Sequence, residues 1–209
     1  VLNFTKQSPF LLPNGISLEN FQKLSAISPP LPKANKQLTI SYIGNIGIPQ
    51  NLSTFVEAAS YCPNIIFNIV GAGENLLAVQ KLKEEKKLLN VNFLGSLPWN
   101  ELLNVYSESD ILYAQLNLDF SGAVPSKLYE YLSTGKFFIY GGAGEALNLL
   151  KGFENHLTIE PENAGKLVDA INESIKKEFP GHLSSANRIK IENSYIREHH
   201  VERWLEAIA

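Results

Sequence analysis

The sequence predicts an α/β protein built around a doubly wound parallel β-sheet, and two observations lead to this prediction. Short apolar segments alternate with segments of helical period between residues 38 and 177, which is the pattern of repeated βαβ units. Glycines follow most of the apolar segments, at the strand ends where open parallel sheets bind ligands. Because crossovers between parallel strands are right-handed, helices should cover both faces of the sheet in a Rossmann-like arrangement.

The individual elements follow from the spacing of the apolar residues. Strands are expected at residues 38–43, 64–70, 91–94, 110–114, 136–140 and 156–159, each a short apolar segment. Helices are expected between them at residues 51–61, 74–89, 98–107, 145–150 and 162–177. A further helix should start near Pro125, whose fixed φ suits a first helical turn, and end at Gly135, which accepts a left-handed backbone.

The two ends of the chain differ from this regular part. Residues 10–13 predict a short strand, residues 18–25 a helical turn and residues 29–32 a stiff extended connector. The tail from residue 185 is helical again and carries one apolar face. We expect that face to pack on this domain or against a part of the protein that precedes Val1; its residues are Val201, Trp204, Leu205 and Ile208.

Composition and charge argue against several classes of function. The 209 residues are 44% hydrophobic, as in a globular domain, and the net charge of −3 without a basic block argues against nucleic acid as a partner. No apolar segment approaches the roughly 20 residues of a membrane span, and the first residues do not show a signal-peptide pattern. The single cysteine, Cys62, cannot form an internal disulfide, so we expect a reducing, cytoplasmic location.

The segment from Val124 to Lys136 carries the strongest chemical signal. Lys127 and Glu130 are three residues apart, so they share one side of the predicted helix near its N-terminus. Free N–H groups and the positive end of the helix dipole attract an anion there. A lysine at this place can bind a phosphate, and a carboxylate one turn later can accept hydrogen bonds from sugar hydroxyls. The spacing alone fits equally a solvated surface pair worth about 0.2–0.5 kcal/mol.

The whole segment, Pro-Ser-Lys-Leu-Tyr-Glu-Tyr-Leu-x-x-Gly-Lys, resembles the donor-site helix of GT-B glycosyltransferases of the retaining family 4, or glycosyl transferases group 1. The resemblance implies the C-terminal, donor-binding half of such an enzyme. It also implies that Lys127, with Ser126 and Gly44, contacts the donor diphosphate and that Glu130 contacts the ribose.

The same resemblance extends to the domain organisation. Pro13-Asn14-Gly15-Ile16 and Phe21 resemble the junction between the two GT-B halves. Residues 1–33 are therefore expected to be an inter-domain linker, residues 34–180 the donor-binding domain and residues 181–209 the C-terminal helices. Since the chain starts at Val1 and contains no methionine, we expect an acceptor-binding half to precede it. Any membrane contact is expected only through that half.

Two glycine-rich turns resemble the phosphate side of the family's donor site. Gly44 to Gln50 follows the first strand, and many relatives carry arginine and lysine at the positions of Asn45 and Gln50. Amides donate hydrogen bonds without charge, so each phosphate contact should be weaker. The form found here resembles a bacterial subset that acts in surface polysaccharide assembly. Gly71, Gly73 and Glu74 resemble the family's Gly-x-Gly turn at the sugar and phosphate rim, although such a turn is equally often only structural.

Two further segments complete the expected site. Gly95, Ser96 and Leu97 resemble the base-binding turn, in which backbone groups contact the nucleobase, with uridine as the commonest base. The first of the family's two glutamates would fall at Gly122, where it is absent, and Asp119 is the candidate substitute and the one candidate catalytic residue. Gly122, Ala123 and Val124 of that loop belong to the expected sugar and phosphate rim.

The expected reaction is metal-independent transfer of a sugar from a nucleotide sugar to a glycan or lipid-linked acceptor. The sequence has no Asp-x-Asp, and its histidines lack metal-ligand spacing. No cofactor is expected, and these residues alone should bind the donor weakly and transfer nothing. Two alternatives stay open. One is a non-catalytic nucleotide-binding module, and the other is one half of a sugar-nucleotide epimerase.

Overall fold

The computed structural model describes residues 14–28 and 37–208. Within them the sheet has six strands: β1 Thr39–Ile43, β2 Ile66–Val70, β3 Val91–Gly95, β4 Ile111–Gln115, β5 Phe138–Gly141 and β6 His156–Ile159. The helices of the described residues are α1 Leu18–Ser25, α2 Ser53–Tyr61, α3 Leu76–Glu85, α4 Trp99–Glu108, α5 Ser126–Thr134, α6 Glu145–Leu150, α7 Ala164–Lys176, α8 Ser185–Ser194 and α9 Arg197–Ile208.

All the strand pairs are parallel, and the strand order is β3-β2-β1-β4-β5-β6. The predicted α/β, doubly wound fold class is confirmed. The chain proceeds outward from β1 to β3 and then returns to place β4 on the other side of β1. The point between β1 and β4 is therefore the topological switch point, where the loops leaving the two strands diverge and open a crevice.

The sheet separates two apolar layers, because its strands are buried on both faces. One layer contains β1 residues such as Ile40 and Tyr42 together with helices α2, α3 and α7. The other contains Ile43 together with helices α1, α4, α5, α6 and α8. Successive residues of β1 point to opposite faces, so Tyr42 and Ile43 belong to different layers. This alternation places Tyr42 beneath the loop that follows β1.

Three helices begin two residues later than the sequence predicts. The helix expected from Asn51 begins at Ser53, and the other two begin later because of the residues at their N-termini. The helix expected from Glu74 begins at Leu76 with Asn75 as its N-cap. The helix expected from Glu162 begins at Ala164, because Glu162 has a left-handed backbone with φ of 59° and Asn163 caps the helix by accepting a hydrogen bond from the Lys166 N–H. Glu74 is therefore in the turn before its helix and not in the first helical turn.

The N-terminal segment of the described chain docks against the C-terminal helices. Ile16 forms a parallel bridge with Ile196, and α1 packs against α5 and α4. Arg188 on α8 donates hydrogen bonds from Nη2 to the carbonyl oxygens of Ile27 (2.7 Å) and Thr134 (2.6 Å). The predicted strand at residues 10–13, the predicted connector at residues 29–32 and the greater part of the predicted linker lie outside the described residues.

The apolar face predicted on the tail does not pack closely on the domain. Val201 and Leu205 on α9 are 46% and 50% exposed, and Trp204 is partly buried. The side chain of Ile208 lies outside the description. Val201 and Leu205 therefore do not pack on the described part of the domain, and the alternative that this face meets a part of the protein preceding Val1 stays a prediction. No described helix combines the length and apolar character needed to cross a membrane.

Candidate functional site

A cleft of about 430 Å³ lies at the switch point between β1 and β4. Its floor comes from Ile43 at the end of β1 and from Leu116 just after β4. Polar groups enter from the loop after β1 and from the start of α5, and an apolar wall comes from α4. The residues concerned are Gly44, Asn45, Gln50, Pro125, Ser126, Lys127, Glu130, Trp99 and Leu102.

Local sequence explains how α5 presents its polar residues to this cleft. Pro125 is the N-cap in an extended conformation, and Gly135 ends the helix with a left-handed φ of 69°. The apolar residues Leu128, Tyr131 and Leu132 are fully buried. Lys127 and Glu130 are left on the adjoining side, and both line the cleft. Both residues are half-buried at the carboxyl ends of the strands, which argues against a solvated surface pair.

Within residues 14–28 and 37–208, the partner of the Lys127 ammonium is a tyrosine and not a carboxylate. Nζ donates a hydrogen bond to the Tyr42 hydroxyl and lies 3.9 Å from the centroid of the Tyr42 ring, a cation–π contact. The Tyr42 hydroxyl in turn donates to the carbonyl oxygen of Asn45. Burial lowers the pKa of Lys127 to about 7, although the nearby Glu130 charge opposes this effect.

Glu130 is positioned by a buried tyrosine of a neighbouring helix. Tyr106 on α4 is fully buried, and its hydroxyl donates a hydrogen bond of 2.6 Å to Glu130 Oε2. Burial, reinforced by the Glu130 charge, raises the pKa of Tyr106 well above its ordinary value. The phenol therefore stays protonated and remains a donor, and Glu130 Oε1 has no described hydrogen-bond partner within the protein.

The two amides of the β1 loop form a small closed turn. Gln50 Oε1 accepts hydrogen bonds from the Gly47 N–H at 3.1 Å and from Asn45 Nδ2 at 3.4 Å. Gln50 thus closes the 3₁₀ turn Ile48–Gln50 with its acceptor oxygen. Its amide nitrogen is the group that could donate to an anion in the cleft.

The sequence analysis did not select Gln115, whose side-chain hydrogen bonds hold this loop against the end of β4. Gln115 Nε2 donates to the carbonyl oxygens of Gln50 and Asn51, both at 3.1 Å, and Oε1 accepts from the Tyr113 hydroxyl and from the Glu162 N–H, both at 2.8 Å. Gln115 is 1% exposed, so these bonds satisfy a buried amide. A polar residue at the end of the otherwise apolar strand β4 was the available signal.

The Gly-x-Gly turn has a structural reason for its glycines. An added Cβ at Gly71 would lie 1.9 Å from the Gly44 oxygen, and one at Gly73 would lie 2.3 Å from the Ile46 oxygen. The two loops are joined by backbone hydrogen bonds from Gly44 N to Val70 O and from Ile46 N to Ala72 O. Only glycine allows this approach, with or without a ligand. The side chain of Glu74 in the same turn is exposed.

The turn expected to contact the base does not line the cleft. Gly95 and Ser96 are exposed, and Leu97 packs in the apolar layer of α4. Trp99, two residues after Leu97, provides the cleft wall instead, and its indole nitrogen is buried without a described partner. Sequence reasoning did not select Trp99, although a tryptophan directly after the turn was visible.

Residues 117–124, in the loop before α5, do not line the cleft. Asp119 is exposed in the 3₁₀ turn Leu118–Phe120 and does not line the cleft. Gly122 is exposed with no atom within 4 Å of an added Cβ, whereas Ala123 and Val124 are half-buried. In residues 14–28 and 37–208, no group of three or more His, Cys, Asp or Glu side chains could hold a metal ion. The metal-free chemistry expected from the sequence remains a prediction.

Comparison with known proteins decides the family. The sequence model of the glycosyl transferases group 1 family matches residues 25–194, which include the cleft and all six strands. The chain belongs to the glycosyl transferases group 1 family. The identification made from the segment Pro125 to Lys136 is thereby confirmed.

One curated relative is similar to this chain in sequence, and several solved structures are similar to it in fold. WcaI of Escherichia coli strain K12, named as a colanic acid biosynthesis glycosyl transferase, is 25% identical over 182 residues, which cover 81% of this chain and 44% of that protein. Sucrose-phosphate synthase from Thermosynechococcus elongatus has a TM-score of 0.75 at 19% identity, covering 95% of this chain and 53% of that one. HepE from Anabaena, solved with UDP and glucose, has a TM-score of 0.70 at 14% identity, covering 92% of this chain and 52% of that one.

The group 1 chain therefore spans about half the length of the relatives it matches. The likeness to the solved structures shows a shared fold, since their sequence identities are below 20%. That fold is one Rossmann-like domain of glycosyltransferases, as the segment around Lys127 predicted.

Proposed function

We propose that this chain binds the nucleotide-sugar donor of a glycosyltransferase that acts in bacterial surface polysaccharide synthesis. Membership of the glycosyl transferases group 1 family supports the reaction class. The relative named for colanic acid biosynthesis supports the polysaccharide context, and the HepE complexes with UDP and with UDP-glucose support a uridine nucleotide donor. The proposed acceptor is a glycan or a lipid-linked acceptor.

One observation carries the proposal: Lys127 and Glu130 face the same cleft at the switch point. Lys127 supplies the positive charge, and the N-terminus of α5 supplies free N–H groups beside it. Glu130, one turn further, offers Oε1 to the ribose hydroxyls. The distance between a diphosphate and its ribose matches roughly one helical turn of about 5 Å.

The chemistry assigned to these residues is stabilisation of the leaving diphosphate. Charge develops on the phosphate oxygens as the bond to the sugar breaks, and a preset ammonium with helix N–H groups stabilises that charge. We assign no catalytic residue within the described ranges, because Asp119 is outside the cleft lining. A preceding half would bind the acceptor and supply the remaining groups, so this chain alone should transfer nothing.

Nucleotide binding by calorimetry tests the proposal directly. The wild-type chain is titrated with UDP, GDP and inorganic phosphate, and the variants Lys127→Ala and Glu130→Ala are titrated with UDP. We expect UDP to bind, Lys127→Ala to abolish binding and Glu130→Ala to weaken it. The exposed Lys81→Ala and Glu84→Ala, both on α3, are matched controls that should bind as the wild type does.

The outcome also separates the proposal from its alternatives. If the chain is instead a non-catalytic nucleotide-binding module, we expect equal affinity for UDP, GDP and inorganic phosphate, or unchanged UDP binding in Lys127→Ala. Turnover of UDP-glucose by this chain alone would contradict the assignment of acceptor binding to another half. The cytoplasmic location stays part of the proposal, and it is supported by Cys62, a buried free thiol.

A further inference from the structure

We propose that Tyr42 is a positioning residue: its hydroxyl aims the Lys127 ammonium at the place where the donor diphosphate binds. This inference rests on the proposed function and adds a residue to it that neither the family resemblance nor the comparisons identify. Tyr42 is fully buried on β1 and lies 85 residues from Lys127 in the sequence, and the two meet only because β1 and α5 adjoin at the switch point.

The hydrogen bonds of Tyr42 fix the direction of the interaction. A phenol has a single hydrogen, and Tyr42 donates it to the Asn45 carbonyl oxygen. Its oxygen lone pair is therefore left to accept from Lys127 Nζ. The ring face lies 3.9 Å from Nζ and holds the same charge by a cation–π contact. Hydroxyl and ring together leave Nζ one preferred position.

The surroundings of Nζ leave it available to an anion. Among the described residues no carboxylate oxygen lies within 4.0 Å of Nζ. The titratable and charged groups around it are Glu130 on its own helix, Tyr42 on β1, and Tyr106 on α4, which is bonded to Glu130. Gly44 passes so close that an added Cβ would lie 2.8 Å from Nζ. An ammonium has three donors, and Tyr42 uses one of them.

The hydrogen-bond partner of Lys127 is an uncharged tyrosine, and the lowered pKa of the lysine makes ligand binding depend on pH. Burial lowers the pKa of Lys127 to about 7, so a part of the free protein is uncharged at neutral pH. A bound diphosphate favours the charged form and raises that pKa. Donor binding should therefore take up a proton near neutrality and weaken as the pH rises above about 7. Tyr42 accepts from the charged form and keeps the pKa from falling further.

Tyr42 also ties the lysine to the loop that carries Asn45. The hydroxyl connects Lys127 Nζ and the Asn45 carbonyl through one oxygen atom. Loss of that oxygen releases both the ammonium and the loop, while Tyr42→Phe keeps the ring, its burial and the cation–π contact. The variant is therefore a local change to the hydrogen bonds.

The test compares Tyr42→Phe with Tyr113→Phe in the full chain. Tyr113 is a matched control because it is equally buried, lies on the adjacent strand β4 and donates its hydroxyl hydrogen bond of 2.8 Å to Gln115 Oε1, so Tyr113→Phe also removes one buried hydroxyl but not the partner of Lys127. UDP affinity is measured by calorimetry from pH 6 to pH 9. The midpoint of Lys127 titration is measured without nucleotide from the ¹³Cε chemical shift, assigned by its loss in Lys127→Met.

We expect Tyr42→Phe to weaken UDP binding about tenfold at pH 7.5, as the loss of a hydrogen bond to a charged group predicts. Its Lys127 midpoint should move to lower pH, and the midpoint of Tyr113→Phe should stay at the wild-type value. A Lys127 midpoint that Tyr42→Phe leaves unchanged overturns the inference, as does an equal shift in both variants.

Failure of the proposed function gives a different result. If the wild-type chain binds no nucleotide, the donor-site assignment fails, and the role of Tyr42 in binding fails with it. The Lys127 midpoint still reports whether the hydroxyl holds the ammonium. If the wild type binds UDP and Tyr42→Phe binds it equally well at every pH, only the role of Tyr42 is overturned.

Discussion

The hydroxyl of Tyr106 donates a 2.6 Å hydrogen bond to Glu130 Oε2, across the contact between α4 and α5. The bond joins a fully buried side chain to a half-buried one at the edge of the cleft. Because Tyr106 holds Oε2, the orientation of the whole carboxylate, including the second oxygen Oε1, is fixed. A ribose bound at Glu130 would therefore meet an acceptor whose orientation is set before binding, which reduces the entropy lost on binding.

The first prediction concerns discrimination between ribose and its deoxy analogue. Tyr106→Phe should reduce the preference for UDP over 2′,3′-dideoxy-UDP by a few-fold, because Glu130 loses the donor that orients it. Glu130→Ala should remove most of that preference, which we expect to be about tenfold in the wild type. Calorimetry with the two nucleotides measures both ratios.

A neighbouring tyrosine provides the control for this experiment. Tyr129 is buried on the same helix, and its ring packs against Tyr195 on another side of α5. Tyr129→Phe should keep the wild-type preference. If Glu130→Ala leaves the preference for the ribose hydroxyls intact, Glu130 does not contact the ribose.

The second prediction concerns stability and pH. Burial lowers the pKa of Lys127 to about 7 in the folded protein, whereas the unfolded chain keeps a value of about 10.4. The unfolded state therefore binds more protons between these values, and the stability of the wild type should rise with pH across this window. Lys127→Met removes the cost of burying the charge. It should stabilise the fold by roughly 2–4 kcal/mol below pH 7, with the gain shrinking towards pH 10.

Urea denaturation at several pH values measures this difference. Lys81 has a side chain that is 76% exposed, so Lys81→Met should change the free energy of unfolding by less than about 0.5 kcal/mol at every pH. A gain for Lys127→Met that stays constant from pH 6 to pH 10 would show that the ammonium is not desolvated. The same variant should lose UDP binding, which places the cost of the buried charge at the functional site.

The third prediction concerns the loop that carries Asn45 and Gln50. Gln115→Leu removes hydrogen bonds to the Gln50 and Asn51 carbonyls, the Tyr113 hydroxyl and the Glu162 N–H. Buried partners left unsatisfied cost about 1–3 kcal/mol each when they stay dry. We expect a loss of roughly 2–4 kcal/mol in the free energy of unfolding.

Thermal and urea denaturation measure the effect of Gln115→Leu against an exposed glutamine. Gln22 lies exposed on α1, and Gln22→Leu should change stability by less than about 0.5 kcal/mol. Equal stability of the two variants would mean that the loop is held by other contacts. Weakened UDP binding in folded Gln115→Leu protein would link the loop to the phosphate contacts.

The fourth prediction separates structural glycines from ligand-facing ones. Gly71→Ala would bring a Cβ within 1.9 Å of the Gly44 oxygen at a φ of +131°, so it should destabilise the fold by roughly 2–4 kcal/mol. Gly122→Ala meets no atom within 4 Å and should change stability by less than about 0.5 kcal/mol. If the sugar approaches Gly122, this variant should bind UDP normally and UDP-glucose more weakly.

Denaturation and calorimetry on the same two variants check both parts. If Gly122→Ala binds UDP-glucose as the wild type does, Gly122 does not belong to the expected sugar and phosphate rim. Gly71→Ala with wild-type stability would show that the two loops can separate at no cost, against the backbone hydrogen bonds that join them.

Several features of the site followed from short-range sequence pattern. The segment around Lys127 predicted a helix that starts at Pro125 and stops at Gly135, and the structure has that helix as Ser126–Thr134. Glu130 was predicted to share its cleft-facing side. These predictions succeeded because helical period and the stop signal at Gly135 act within a few residues. The boundaries at Glu74 and Glu162 were less accurate, since caps and left-handed residues decide them locally.

Contacts between residues far apart in the sequence could not be predicted from that short-range pattern. Tyr42 and Lys127 are 85 residues apart, and Gln115 and Gln50 are 65 apart. Their pairing depends on which strands become neighbours in the sheet. The position of Trp99 could not be predicted for the same reason. The direction in which α4 crosses the sheet brings Trp99 to the cleft, while Gly95 and Ser96 do not line it.

The sequence by itself determined the alternation of strands and helices, the family, and the turn of helix that offers a lysine and a glutamate together. Those properties depend on residues within one or two turns of each other, where spacing and backbone preference are sufficient. Only the tertiary structure decided that a buried phenol holds the lysine, that a second phenol holds the glutamate, and that an amide fixes the neighbouring loop. The physical reason is that each of these hydrogen bonds joins residues of separate elements, and such a bond forms only once the parallel sheet has brought those elements together.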